Sequence, residues 1–557
     1  MHNFNTHNEV MSCFLSVNQK EKARLDKFLE FLDESGVARF IEEELNSSSE
    51  TRGRKPYNPY KLFATIIYSF SKHSSSVRKI EESMNYDLRF LYLMEQDHPT
   101  YVTISKFIKE IIAKRQREIY ACIVTHLLTT FKIPTEDVFV DGTKLEANAN
   151  KYRFVWKPTA FKNKLQSNIK TLLSKYFTLP ETKQTFSPID IGEYLSLLEA
   201  TIKEKNYSFK TGKGIRSPLI VKDFHILSNY LIKSLEYEEQ ETICGPYRNS
   251  YFKTDHDATA MCLKEDYYSG LGSNMHAGYN VQLAVSKGIV LDYYVCQERN
   301  DIKTLKPFIN QFYEDLGFYP VNICADSGYG SLENYIFIKD LSIGNFIKPL
   351  SWQQEMDGKK IPLYRVENNS LICLNNKHAK EYAKYNGIYP RKKNAKLYVI
   401  ENCTRCRFKS VCRQALKNKK ENFRIFDLSL EYYAYKEEAM DNLLSPKGIE
   451  MRINRSAQVE GAFGVIKQDM DYDRVRRRGI ENVSCEIMLV CLGYVIRKLF
   501  ALFDGTAKLD YWIAPTSLTA EQRPSEVNIN KILAKRKQGT NEKVKRTHKY
   551  KRLRKRP

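Results

Sequence analysis

Three acidic residues lie in segments whose patterns predict strand ends or a helix face. Asp141 lies in the alternating run FVDGTKL, Asp326 follows the apolar run VNICA, and Glu460 lies in the helical pattern RSAQVEGAFGVIK. Grouped carboxylates bind hard cations such as Mg²⁺. Two such ions, about 3.5–4 Å apart, activate an attacking water and stabilise the leaving oxygen in phosphodiester chemistry. The three acids therefore predict a metal-dependent site for phosphodiester cleavage.

Each acid also has a structural interpretation. Asp326 precedes a helix-like segment, and Asp is a favoured helix N-cap. A carboxylate in a buried strand needs a cationic partner, and for Asp141 the sequence offers Lys144 or a metal. Glu460 and Lys467 are seven residues apart, which places both on nearly one helix face and is also typical of a solvated amphipathic helix.

The segments around these acids predict an α/β fold of the ribonuclease H-like type. A strand is indicated at 137–145, a hairpin at 278–296 with its turn at 286–288, and further strands at 321–325 and 344–349. Helical patterns separate the later strands. This order is that of a mixed five-stranded sheet with helices on both faces.

The remaining segments predict an all-α N-terminal domain before the sheet and helical and cysteine-containing insertions within it. We expect the following domains: a helical DNA-binding or dimerisation domain at 1–132, the first part of the catalytic domain at 133–349 with a helical insertion at about 151–250, a cysteine-containing insertion at 350–444, the last part of the catalytic domain with the Glu helix at 445–515, and a basic disordered tail at 516–557.

Two features suggest contacts with nucleic acid. Helices on either side of the polar break 74–76 resemble a helix-turn-helix, in which Arg78 and Lys79 would meet phosphates; an ordinary helical bundle is the alternative. Trp156, in KYRFVWKP, is suited to stacking on an unpaired base, although a tryptophan also commonly fills a core.

Four cysteines suggest a structural zinc site. The spacing C-x2-C-x5-C, with a further cysteine upstream, satisfies tetrahedral zinc and leaves no open position for catalysis. Four separate buried thiols remain an alternative. These residues are Cys373, Cys403, Cys406 and Cys412.

The charge of the chain favours a polyanionic partner. Its 557 residues contain 88 Lys and Arg against 66 Asp and Glu, a formal net charge of +22. Such an excess favours nucleic acid over membrane. Residues 531–557 hold 13 basic residues and one acid, so we expect this tail to be disordered alone and to hold phosphates.

We see no signal peptide. The longest apolar run, 487–496, is too short to span a bilayer, so we expect a soluble intracellular protein with mostly reduced thiols.

Four motifs together resemble the DDE transposases of bacterial insertion sequences. In chain order they are FVDGTKLEANAN, GYNVQLAV, ADSGYGS and R-x-x-x-V-E-x-x-F-G-x-I-K, within a resemblance that spans about 57–499. The similarity is greatest to the subgroup with an N-terminal helical transposase domain and a cysteine-bearing insertion in the catalytic domain. It implies that Asp141, Asp326 and Glu460 are the catalytic, metal-binding triad.

The resemblance also implies DNA contacts by Lys467 and Arg455. Many members carry Tyr and Arg seven and four residues before the glutamate, whereas this chain has Ile453 and Ser456 there. The contacts of that pair are therefore not transferred to this chain.

The function implied is Mg²⁺-dependent cleavage of transposon-end DNA and transfer of the 3′-hydroxyl ends into target DNA. The resemblance also implies two Mg²⁺ per site, with Mn²⁺ as an alternative. The partners would be double-stranded DNA with terminal inverted repeats, target DNA, and a second copy of the chain or a larger assembly, in the bacterial cytoplasm at the nucleoid and without a membrane. A metal-dependent nuclease without strand transfer and an inactive transposase-derived DNA-binding protein are the alternatives.

Overall fold

The computed structural model of the protein describes residues 18–522, except for gaps at 48–56, 73–75, 96, 211, 213–215, 247, 264–274, 358–362, 392–393, 407, 409–411 and 413–421. The predicted basic tail from residue 523 onward, most of the predicted serine break and the N-terminal residues searched for a signal peptide lie outside the described residues. Among the described residues, no helix is long and apolar enough to cross a membrane.

The N-terminal region is helical, as predicted. Asn58 caps the third helix, because its side chain accepts hydrogen bonds from the backbone N–H groups of Tyr60 and Lys61. A π-turn and a 3₁₀ turn at 108–115 connect the sixth and seventh helices. The helices are α1 Gln19–Ser35, α2 Ala38–Ser47, α3 Pro59–Ser71, α4 Val77–Tyr86, α5 Leu88–Met94, α6 Tyr101–Phe107 and α7 Gln116–Thr130.

The predicted ribonuclease H-like fold is confirmed. Five strands form the order β6-β5-β1-β7-β8, in which β1, β7 and β8 are parallel and β5 is antiparallel to both β1 and β6. A sixth strand, β4, pairs with β5 at the start of that strand. The strands are β1 Asp137–Glu146, β4 Thr259–Cys262, β5 Met275–Ser286, β6 Ile289–Cys296, β7 Asn322–Ala325 and β8 Gly344–Ile347.

The predicted hairpin is the β5–β6 pair. Its two-residue turn, Lys287-Gly288, has φ of 50° and 72°, the left-handed pair that matches the twist of antiparallel strands. The turn residues thereby fix the pairing of β5 with β6. On its other side β5 pairs with β1, and Leu283 is opposite Asp141.

Helices and short strands fill the connections between the sheet strands. Two π-turns interrupt the long helical segment from Pro446 to Asp469. The helices are α8 Thr159–Leu173, α9 Pro188–Glu204, α10 Leu219–Cys244, α11 Leu305–Leu316, α12 Leu332–Asp340, α13 Trp352–Met356, α14 Leu430–Leu444, α15 Pro446–Arg455, α16 Gly461–Gly464 and α17 Ile480–Phe503. The additional strands are β2 Phe154–Trp156, β3 Ser250–Phe252, β9 Tyr364–Glu367, β10 Ser370–Cys373, β11 Lys380–Tyr382, β12 Lys396–Ile400 and β13 Arg424–Leu428.

One apolar core runs from α1 through the sheet to α17, from Leu25 to Phe500. Helix α3 is buried on every side from Lys61 to Ser71, which is typical of a helix in the centre of a core. It packs on α17 so closely that Gly493 has no room for a Cβ beside the backbone of Phe70. This core is continuous across the predicted domain boundary near residue 132.

Two insertions have apolar cores of their own. Helices α8, α9 and α10 pack around Leu165, Ile169 and Leu198. Strands β9 to β13 surround a smaller cluster that includes Leu371, Cys373 and Phe426. The sheet therefore carries both insertions without depending on them for its own apolar contacts.

Candidate active site

Asp141 and Asp326 are neighbours on adjacent parallel strands. Val140 of β1 is opposite Ala325 of β7, so the next residue of each strand is one of the two acids. Paired residues of parallel strands direct their side chains to the same face, and neighbouring strands lie about 4.8 Å apart. Register alone therefore brings these two carboxylates to one end of the sheet.

Asp326 does not serve as a helix cap. The 3₁₀ turn 327–329 follows it, but its side chain makes no capping hydrogen bond, and α12 is capped instead by Ser331. The Asp326 carboxylate lies 3.6 Å from the Nζ of Lys348 and is half exposed. The capping interpretation is therefore wrong, and the carboxylate is accessible at the strand end.

Glu460 approaches from the long helix that crosses the sheet. Its segment packs on β1 and β5, and α15 packs on β1, β7 and β8. Residues Ser456–Glu460 form a π-turn. In an α-helix of 3.6 residues per turn, side chains five apart point about 140° away from each other, whereas an i→i+5 turn brings them to the same face. The π-turn thereby aligns Arg455 with Glu460.

Arg455 joins two of the three acids. Its Nη1 donates to Oδ2 of Asp141 at 2.8 Å, and its Nη2 donates to Oε1 of Glu460 at 3.0 Å. The second oxygen of Glu460 accepts from Ser456 Oγ at 3.0 Å, and Oδ1 of Asp141 accepts from the N–H of Gly142 at 2.8 Å. The cation beside Asp141 is thus Arg455, and not Lys144.

The electrostatics of the site reflect a buried guanidinium among carboxylates. The Arg455 side chain is 7% exposed. Burial alone would lower the pKa of Arg455, but Asp141, Asp326 and Glu460 raise it above its usual value. Burial raises the pKa of Asp141. Arg455 partly offsets this rise, and the nearby Asp326 raises the pKa further. All three acids therefore act on the same small volume.

A buried polar network behind the acids was not found from the sequence. Tyr329 donates to Oε1 of Gln282, and the amide of Gln282 donates to Asn280 at 2.8 Å and to Asp301 at 3.1 Å. A Cβ at Gly142 would overlap the Gln282 amide. The network fixes the turn after Asp326. Its sequence signal was the pair of polar residues two apart, Asn280 and Gln282, within the otherwise apolar stretch 277–285 of β5.

The residues proposed to contact DNA lie at separate places. Lys467, in the second π-turn, donates to Oγ1 of Thr143 on β1 at 2.7 Å. Trp156 is 53% exposed on β2, while Arg78 and Lys79 are exposed on α4, and the guanidinium of Arg78 lies 5.1 Å from the ring centroid of Tyr101. Of the predicted DNA contacts, only Lys467 and Arg455 lie beside the acids, and Arg455 is buried there.

The donor set suits a hard divalent cation. Carboxylate oxygens are the ligands that Mg²⁺ prefers, and these three already surround one positive charge. Among the described residues, no group of three or more His, Cys, Asp or Glu side chains has metal-binding geometry. Arg455 lies between Asp141 and Glu460, so a metal shared by these two acids requires the guanidinium to give up at least one hydrogen bond.

The four predicted zinc ligands are close enough to affect one another. Burial raises the pKa of the Cys403 thiol, and Cys406, Cys412 and Cys373 raise it further. Cys373 is buried, whereas the other three are partly exposed. The described cysteines are free thiols. The zinc site stays a prediction, because the metal-binding geometry is lacking among the described residues.

Two family matches accompany this geometry. Residues 372–500 match a transposase DDE domain, and residues 14–110 match a transposase domain of otherwise unassigned role. The predicted resemblance to the DDE transposases is confirmed. The first match contains Glu460 and the four cysteines, and the second contains Arg78 and Lys79, whereas Asp141 and Asp326 lie outside both. No curated protein and no solved structure matches the chain.

These matches identify an activity at the level of the family. Transposases act on DNA, and the DDE domain family carries out cleavage and transesterification of phosphodiesters, generally with a divalent metal. The fold, the confirmed resemblance and the grouped acids therefore agree on one class of chemistry.

Proposed function

We propose that the protein is a DNA transposase that cleaves a phosphodiester at each end of a mobile element and joins the freed 3′-hydroxyl to target DNA. The observation that carries this proposal is the arrangement of Asp141, Asp326 and Glu460 around Arg455, at the carboxyl end of the parallel strands. Ligand sites of open α/β sheets lie at that end. The two transposase family matches support it.

Asp141, Asp326 and Glu460 would hold the Mg²⁺ ions. When bound, such ions activate the attacking oxygen and stabilise charge on the leaving oxygen. The chain itself orients the ligands: the Gly142 N–H fixes one oxygen of Asp141, and Ser456 fixes one oxygen of Glu460. These bonds leave the other carboxylate oxygens directed toward the common volume now filled by Arg455.

The binding of DNA would depend on cations outside this acidic centre. Acids repel the phosphate backbone, while the net charge of +22 attracts it. Lys467, held by Thr143 two residues after Asp141, and Lys348, 3.6 Å from the Asp326 carboxylate, are the lysines that would meet a phosphate beside the acids. A complex of two or more copies would bridge the two ends of the element.

The test uses DNA that flanks the gene. If inverted repeats are found there, a linear fragment that carries them becomes the substrate, with a supercoiled plasmid as the target. We expect cleavage in Mg²⁺ by the wild type and no detectable cleavage by Asp141→Asn, Asp326→Asn or Glu460→Gln. The matched control is Asp340→Asn, which changes an exposed acid at the end of α12.

Binding of the fragment in EDTA should be similar for all five proteins, because the acids do not supply DNA affinity. Cleavage by any of the three acid variants at the wild-type rate would exclude that acid from the chemistry. Cleavage without joined products on the plasmid would indicate a nuclease, and binding without cleavage by the wild type would indicate an inactive binding protein.

A further inference from the structure

A loop with four arginines lies beyond the carboxyl end of β1. Its sequence from 473 to 479 is DRVRRRG, which contains Arg474, Arg476, Arg477 and Arg478. The loop connects the helical segment of Glu460 to α17. We call residues 474–478 the arginine loop. The resemblance to the DDE transposases assigns it no role.

A buried carboxylate fixes the backbone of the arginine loop. Glu486 of α17 is 2% exposed. It accepts hydrogen bonds from the N–H of Arg476 at 3.0 and 3.1 Å and from the N–H of Arg477 at 2.8 Å. A buried carboxylate needs such partners, so these two residues cannot move away from α17 without leaving its charge unpaired.

Both ends of the loop are also held by backbone hydrogen bonds, one to the last residue of β1 and two to the turn that precedes β4. The N–H of Val475 donates to the carbonyl of Glu146, the last residue of β1, at 3.0 Å. At the other end, the N–H of Gly479 donates to Asp255 at 3.2 Å, and the N–H of Ile480 donates to Asp257 at 2.8 Å. The loop is therefore a rigid extension of the sheet.

The arginine side chains differ in how far they are engaged. Arg474 lies 3.9 Å from the carboxylate of Glu146, and Nε of Arg478 donates to the carbonyl of Asn148 at 2.8 Å. Arg476 is exposed and Arg477 is half-buried. Within the described part of the chain, the side chains of these last two residues form no ion pair, so their guanidinium groups are available to a ligand.

We propose that the arginine loop is a phosphate-binding site for duplex DNA. A rigid loop holds its cations at fixed spacing, as the regular phosphates of a duplex require, and guanidinium groups bind phosphate oxygens in pairs. Contacts to phosphate oxygens carry no base information, so the proposed binding is independent of sequence.

The position of the loop relates it to the acids. Glu146 follows Asp141 by five residues on one strand, a distance of about 17 Å at 3.3–3.4 Å per residue. Phosphates of one DNA strand are spaced about 3.4 Å along the axis. A duplex whose axis runs parallel to β1 would thus contact the loop about five nucleotides from the phosphate at the acids, a placement that rests on the proposed function.

The test is a binding titration in EDTA with a 30-base-pair duplex of arbitrary sequence, at several salt concentrations. For Arg476→Ala/Arg477→Ala we expect the negative slope of log K against log salt to become shallower by about 2. This is about one unit for each phosphate that the variant no longer neutralises. The same relation gives an affinity loss of about 30-fold at 0.15 M salt. Thermal melting of the variant verifies that it is folded.

The matched control is Arg39→Ala/Lys233→Ala. It removes two exposed positive charges from α2 and α10 and so reproduces the change in net charge alone. An unchanged slope in the loop variant, or a slope equal to that of the control, would overturn the proposal. Because no cleavage occurs in EDTA, a protein that fails to cut transposon ends in Mg²⁺ would refute the proposed function without affecting this result.

Discussion

Replacement of Arg455 by methionine should destabilise the protein in the absence of metal. The variant removes a hydrogen bond to Asp141, whose side chain is 24% exposed, and one to Glu460, which is 55% exposed. A hydrogen bond to a buried charged group contributes about 1.5–3 kcal/mol, and the exposed pair adds no more than about 1 kcal/mol after solvent screening. We therefore expect a loss of about 2–4 kcal/mol.

Thermal unfolding in EDTA measures this loss. For a cooperative unit of about 250 residues, 1 kcal/mol corresponds to about 2 °C, so the melting temperature should fall by about 4–8 °C. The control is Arg365→Met, which breaks an exposed pair with Glu367 and should change the free energy of unfolding by less than about 0.5 kcal/mol. Addition of Mg²⁺ should raise the melting temperature of Arg455→Met more than that of the wild type, because the bound cation replaces the missing positive charge.

The pH dependence of this deficit follows from Asp141. Burial raises the pKa of Asp141 above its usual 3.8, and Arg455 opposes that rise. When the pKa of a carboxyl is higher in the folded than in the unfolded protein, the free energy of unfolding decreases as the pH rises through that pKa. The reason is that the buried group must then ionise. Without Arg455 the pKa rises further, so the deficit should be largest at neutral pH and should shrink as pH falls toward 4.

A second substitution at Asp141 tests the pairing itself. In Arg455→Met/Asp141→Asn the buried charge is removed together with its partner, so the double variant should lose less stability than the sum of the single losses. Additive losses would show that Arg455 and Asp141 do not interact. A single variant that melts at the wild-type temperature in EDTA would refute the bridging role of Arg455.

Two further predictions concern packing and zinc. Gly493→Ala should lower the melting temperature, because a Cβ there would meet the backbone of Phe70 at 2.7 Å and an overpacking cost of about 1–3 kcal/mol exceeds the helix-propensity gain of about 1 kcal/mol. Gly464→Ala should raise the melting temperature, because a Cβ there would meet open space. The reverse order of the two melting temperatures would contradict the packing described. Purified protein should contain one zinc per chain by elemental analysis, and Cys403→Ser should lose it. The finding of no stoichiometric zinc in the wild type would remove the zinc site.

The sheet was predictable because its signals are local. The alternation in β1, the two-residue hairpin turn and the abrupt end of β7 before Asp326 each lie within a dozen residues of sequence. The pairing of Val140 with Ala325, which places Asp141 beside Asp326, is known from the structure alone. The two-residue period and the turn residues were therefore sufficient to predict the central strands and the positions of Asp141 and Asp326 in them.

The contacts of Glu460 were not predictable in the same way. Helical periodicity assumes 3.6 residues per turn, and the π-turn at 456–460 departs from it. The resemblance to the DDE transposases implied a DNA contact for Arg455, whereas Arg455 lies buried between Asp141 and Glu460. The arginine loop was missed because its shape depends on Asp255, Asp257 and Glu486, of which two lie more than 200 residues away.

In the described part of the chain, the helical insertion leaves the rest of the molecule and returns to it through one pair of short strands. Strands β2 and β3 pair antiparallel, with Phe154 opposite Phe252 and Trp156 opposite Ser250, so the chain departs and returns across about 5 Å. The helices between them have an apolar core of their own. This segment is therefore free to change in length over generations, or to be exchanged for an unrelated one, while the acids keep their positions.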